Sequence, residues 1–201
     1  VKPSVLLIHP PVAKPCEPPA GLARLYGALT AQGIRVRLWD ANLDGLLDLL
    51  AAPLEAADTW SRRAVAHTPA NLAALRTPAL YARPARYRQA VLEVNRRLQL
   101  AGASRGAAVS LANYSEAGRA QVRSGDLLAA AEGYAGNPFH DVLRPRLEAL
   151  LAEETPTLVG ISVNFLSQAL CAFALAGALR ALLPGVAIAM GGGLITSWWG
   201  V

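Results

Sequence analysis

Apolar and polar positions alternate along this chain in two distinct rhythms, one at each end and another in the middle. "SVLLIHPP" (4–11) is a continuous apolar run closed by prolines, the pattern of a strand buried on both faces. Leu22, Leu25, Tyr26 and Leu29 follow at helical spacing, which predicts one apolar helix face, and Gly33 supplies a C-cap. "IRVRLWD" (34–40) then alternates Ile34, Val36 and Leu38 with Arg35, Arg37 and Trp39, which fits a strand near a sheet edge. The rhythm returns late. "TLVGISVN" (157–164) reads as a strand, Ser167 to Leu183 as a helix, and "VAIAMGGG" (186–193) as a strand opening into glycines. Strand–helix–strand units with apolar strands imply a parallel sheet with right-handed crossovers.

The middle reads differently. "LDGLLDLLAAPL", "PARYRQAVLEVNRRLQLA" and "FHDVLRPRLEALLAEE" are helical by period, separated by Pro, Gly and Ser breaks, and "AAVSLANYS" (107–115) suggests one further short strand. A crossover helix needs only about a dozen residues. The expected organisation is therefore an α/β domain built from 1–42 and 156–201, with 43–155 as a large helical insertion between the second and third strands. The chain starts with Val and stops at "ITSWWGV" with no closing helix in the pattern, which suggests a trimmed fragment of something longer.

Composition narrows the chemistry. The 201 residues are 53% hydrophobic, enough for a real core. The most apolar stretch, 165–183, holds Ser167, Gln168 and Arg180 and reads as a buried helix, so no membrane span is expected, and no signal-peptide core precedes it. A cytoplasmic setting is the expectation. Cys16 and Cys171 lie too far apart in sequence for a metal knuckle, and His9, His67 and His140 are dispersed, so no metal-ligand spacing is present. The net charge of +5 is concentrated between Arg62 and Arg105, where nine arginines accompany the single acid Glu93. Solvated helix faces are the expected role of that stretch, and nucleic acid is not the expected partner.

In open parallel sheets, ligands bind beyond the carboxyl ends of the strands. Four stretches fall there: "HPP" with Pro10 and Pro11, "DANLDG" (40–45), "SVNFLSQ" with Ser162, Asn164 and Ser167, and the Gly191-Gly192-Gly193 triple. Glycines permit close backbone approach and positive φ angles. Neither G-x-G-x-x-G nor a G-x-x-x-x-G-K-[ST] loop is present, so a standard dinucleotide or nucleotide site is not expected. A flavin site is disfavoured because the first strand ends in HPP rather than a Ser/Thr-rich loop.

"VLLIHPP…PPAGLARLYGALTAQGIRVRLWDAN", "NPFHDVL" (137–143) and "LVGISVNFLSQALCAFALAGALRALLPGVAIAMGGGLITSW" together resemble the N-terminal cobalamin-binding domain of radical S-adenosylmethionine (radical SAM) proteins. The resemblance implies a flavodoxin-like or Rossmann-like sheet of the cobalamin-binding type. Cobalamin domains of the methionine-synthase type carry D-x-H-x-x-G, whose histidine meets cobalt from below. Here the frame reads Asp40-Ala41-Asn42-Leu43-Asp44-Gly45, with Asn42 in the imidazole's place. The resemblance therefore implies base-off cobalamin without a histidine ligand. Asp40, Asn42 and Gly45 would lie under the corrin; Ser162, Asn164, Gly191, Gly192 and Gly193 would lie around the nucleotide tail; Pro10 and Pro11 would lie at the rim. The C-x-x-x-C-x-x-C that holds a [4Fe-4S] cluster is absent from this chain, so S-adenosylmethionine cleavage would belong to a C-terminal radical SAM domain outside it. The whole protein would then be a methyltransferase or rearrangement catalyst acting on a small molecule. The alternatives are a docking domain of the same fold with a lost cofactor site, or an anion- or nucleic-acid-binding module using the Arg-rich insertion.

Overall fold

Every residue of the first strand, β1 (Ser4–Ile8), is buried, as its unbroken apolar run requires. In the computed structural model, which describes residues 3–199, β1 is flanked by two parallel neighbours, β2 (Arg35–Trp39) and β5 (Leu158–Ser162), and β6 (Ala187–Gly191) completes the sheet beyond β5. The order β2-β1-β5-β6 is the one in which flavodoxin-like sheets begin. The protein is thus α/β, with a four-stranded parallel sheet compatible with a Rossmann-like fold.

Register sorts the two faces. Trp39, Ile8, Ile161 and Met190 form one row across the sheet, packed into the main core. Leu38, Leu7, Gly160 and Ala189 form a row on the other face. There α1 (Ala20–Ala31) is the covering helix, and it buries only Leu22. Leu25 and Tyr26, expected on a buried face, are exposed. β2 also departs from expectation: its apolar Leu38 is exposed, while Trp39 is buried. Arg37 donates to the Leu150 and Glu154 carbonyls, so this arginine caps a helix end across the sheet edge.

The main core face is layered by α2 (Ala41–Ala51), α7 (His140–Glu153) and α8 (Ala169–Leu182), with α5 (Pro84–Ala103) and α6 (Ser124–Glu132) around them. Leu46, Leu98, Leu127 and Leu147 from the central segment share one hydrophobic cluster with Leu6 and Ile161 of the sheet. Each such fully buried side chain contributes roughly 1.5–3 kcal/mol, so the helices of the insertion and the sheet hold one another in place. The expected boundary at 42/43 falls inside the first turn of α2. Further out, α3 (Thr59–Leu75) packs on α5, with the short α4 (Pro78–Tyr81) between them. Pro69 sits inside α3 rather than ending it.

Two expectations are corrected. The 107–115 stretch forms part of an antiparallel hairpin, β3 (Ala107–Val109) with β4 (Tyr114–Glu116), separate from the sheet. After β6 the chain turns into a short helix, α9 (Gly193–Trp198), where no closing helix was expected. The expected boundary positions 1, 2, 200 and 201 lie outside the described residues.

Candidate functional site

All four sequence-predicted stretches lie at the carboxyl edge of the sheet, but "DANLDG" is not a loop there. Asp40 is the N-cap of α2: its carboxylate accepts from the Leu43 backbone N–H at 3.0 Å. Asn42 is buried in the first turn. Its Oδ1 accepts from the Ala13 N–H at 2.9 Å and its Nδ2 donates to the Ala13 carbonyl at 3.0 Å. This two-point clamp closes the backbone of the loop after β1. Gly45 lies on the inner face of α2, where a Cβ would come within 2.9 Å of the Phe139 ring. Asp44, the second acid of the stretch, accepts from the Trp39 indole N–H at 2.9 Å.

The loop after β1 is held from a second side. Gln168, fully buried, donates to the Pro10 carbonyl at 2.7 Å, while its Oε1 accepts from the Asn164 and Phe165 N–H groups at 2.9 and 3.1 Å. The Ser167 hydroxyl donates to the Val12 carbonyl at 2.8 Å. Gln168 thus fastens the β1 loop to the β5 loop. Sequence reasoning did not single it out, because a glutamine at the start of an apolar helix carries no distinctive spacing; its signal is the burial of a long amide among apolar neighbours.

His9 completes this layer. Its Nδ1 lies 3.4 Å from Gln168 Nε2, and its Nε2 is buried without a partner among the described residues. Burial pushes its pKa down, and the nearby Asp40 carboxylate offsets part of that. The ring is therefore held neutral at physiological pH, with Nδ1 as acceptor and the proton on the unpartnered Nε2.

On the other side of the edge, Asn164 donates to Ser162 Oγ at 3.2 Å and accepts from the Gly193 N–H at 3.0 Å. Gly192 adopts φ +107°, and a Cβ there would meet the Val163 carbonyl oxygen at 2.5 Å. Glycine is required at that position by backbone alone. At Gly191 and Gly193 space is open, the nearest atom to a Cβ being Asn164 Oδ1, 3.8 Å from Gly193.

The polar groups named by the sequence therefore build the edge. Three apolar side chains are exposed near it: Leu43 on the first turn of α2 is 41% exposed, and Phe165 and Leu166 after β5 are 41% and 40% exposed. His9 is buried here and Asp40 is engaged as a cap. Among the described residues, no group of three or more His, Cys, Asp or Glu side chains is placed to hold a metal ion, and no helix is long and apolar enough to cross a membrane.

A cleft of about 90 Å³ lies elsewhere, between α7 and α8. It is lined chiefly by apolar residues such as Leu143, Leu147 and Leu175, and it shares only Pro11 with the sequence-predicted site. Cys171 lies on its wall, with its thiol pushed above its ordinary range by burial, which makes it a packed side chain rather than a nucleophile. Compared with known proteins, the chain matches no family model, no curated protein and no solved structure.

Proposed function

We propose that the carboxyl edge holds a flat, largely apolar cofactor, a cobalamin with no side-chain ligand beneath its cobalt, as in the cobalamin-binding domain of a radical SAM enzyme. The observation that carries this reading is the exposure of Leu43 on the first turn of α2 and of Phe165 and Leu166 just after β5, beside buried amides of Asn42 and Gln168 that hold the loop after β1. A macrocycle lying over those three side chains would remove apolar surface from water without disturbing the sheet. Asn42 does not fit the role of a ligand, since both ends of its amide face the Ala13 backbone. That agrees with a base-off cofactor whose lower face meets apolar side chains. Gly191 and Gly193, with no side chain and open space above them, suit close approach of the nucleotide tail. Cobalamin, when bound, supplies methyl-transfer or radical chemistry, and this chain contributes binding, orientation and exclusion of water. S-adenosylmethionine and the [4Fe-4S] cluster would belong to a partner domain outside this chain, and the whole protein would act as a methyltransferase or rearrangement catalyst.

A second reading draws on the same edge. Because its polar groups are committed internally, the exposed trio also suits a protein partner, and the domain would then dock without a cofactor. Titration with hydroxocobalamin and methylcobalamin, followed by visible absorbance, separates the two. Saturable binding with a base-off spectrum, weakened by Phe165→Asp, supports the cofactor. Absence of binding by the full chain removes that reading and leaves docking.

A further inference from the structure

The Arg-rich stretch does not spread evenly over the helices. Elsewhere most arginines meet a carboxylate: Arg35 reaches Glu154, Arg37 Glu153, Arg105 Asp141, Arg119 Glu116 and Arg144 Glu148. The corner where α3 ends, α4 turns and α5 begins is different. From Thr59 to Leu92 the sequence has no acid at all. The two acids that bracket this stretch are already engaged. Asp58 takes Ser61 and Arg96. Glu93, with a fully buried side chain, takes Arg63, His67, Asn71 and Gln89. Arg76, Arg83, Arg86 and Arg88 therefore stand exposed with no carboxylate partner among the described residues, and Arg86 finds only the Asn71 amide oxygen, at 3.0 Å.

Two aromatic side chains share that corner. Tyr81 and Tyr87 are 57% and 40% exposed, and their rings pack on each other with centroids 5.4 Å apart at 38°. The Tyr81 hydroxyl donates to the Leu75 carbonyl at 2.8 Å, which fixes its ring against the end of α3. Arg83, Arg86 and Tyr87 fall at i, i+3 and i+4 around the start of α5, so charge and ring share one side of it. Rigid, exposed aromatic rings among uncompensated guanidinium groups are what a flexible polyanion with planar side groups requires. The arginines take phosphates and the rings take bases.

We propose that this corner binds single-stranded nucleic acid. The inference is independent of the cofactor reading, since it uses no residue of the carboxyl edge. Solvation alone was the expectation from composition; the fixed tyrosine pair, which composition does not show, changes it. A duplex would offer the same phosphates but keep its bases stacked away from Tyr81 and Tyr87, so the single strand should bind more tightly.

The test is fluorescence anisotropy of the full chain with labelled dT12, labelled U12 and a 12-base-pair duplex, each titrated across a salt series. The expected result is saturable single-strand binding, tighter than duplex, with affinity falling as salt rises along a log–log slope of roughly −3 for four phosphate contacts. Comparing dT12 with U12 distinguishes DNA from RNA as the preferred strand. Tyr87→Ala should weaken single-strand binding roughly ten-fold, Tyr87→Phe should leave it intact, and Arg83→Ala with Arg88→Ala should reduce the salt slope. Circular dichroism confirms that these surface variants are folded. Absence of saturable binding overturns the proposal. So does equal affinity for duplex or polyglutamate with no effect of Tyr87→Ala, since that result would make the corner a general basic surface suited to acidic proteins.

Discussion

Replacing Asn42 by alanine removes both bonds that hold Ala13 and leaves that residue's N–H and carbonyl without partners in a buried position. An unsatisfied buried polar group costs roughly 1–3 kcal/mol. Two of them, partly relieved by loop movement toward water, put the expected loss at about 2–4 kcal/mol. For a chain of this length that lowers the melting temperature by roughly 5–15 °C. Asn42→Asp should lose a similar amount at neutral pH, because the carboxylate can accept from the Ala13 N–H but opposes the Ala13 carbonyl. Asn42→His, which would supply an imidazole to cobalt if this side chain faced a cofactor, can satisfy only one of the two groups and should also be destabilised. Urea denaturation followed by circular dichroism measures all three. A loss below about 0.5 kcal/mol in the alanine and aspartate variants would refute the clamp, and a fully stable histidine variant would return Asn42 to the ligand face.

Other consequences follow from packing and charge. Gly177 on α8 lies where a Cβ would overlap the Ala131 carbonyl oxygen of α6. Gly177→Ala should therefore destabilise by about 2 kcal/mol by thermal denaturation, despite the roughly 1 kcal/mol that alanine gains in helix propensity. His9 and His140 both have pKa values lowered by burial, against Asp40 at His9 and with help from Arg144 and Arg105 at His140. The unfolded chain then takes up protons first, so stability present above about pH 6.5 should decline as pH falls below it, and denaturation midpoints at pH 7.5 and 5.5 measure this. Glu93 adds a second decline at lower pH. Burial raises its carboxyl, but bonds from Gln89, Asn71 and His67 outweigh that and hold it below its ordinary value. Stability therefore falls as pH drops below about 4.5, and Glu93→Gln should flatten that limb.

The sequence by itself determined the four strands of the parallel sheet and the layer they imply. An apolar run such as "VLLI" can be satisfied only by burial on both faces, and two strand–helix–strand units leave little choice but a parallel sheet. It also placed the loops at one edge, since the carboxyl ends of parallel strands share a side. It could not say what each polar residue there does. Asp40 and Asn42 fall under the corrin in the resemblance because their spacing matches a motif. Only the tertiary structure shows that Ala13, 29 residues away, takes up the Asn42 amide, and that Gln168 ties Pro10 to Phe165. The pattern marks no helix over 59–75, yet α3 forms there with Pro69 inside it and packs along α5. The exposed face of α1 also escaped: periodicity records which side is apolar, and only the neighbouring elements decide whether anything covers it. Local pattern fixes an element and its orientation, while the partner of each polar group is a long-range contact that no spacing along the chain encodes.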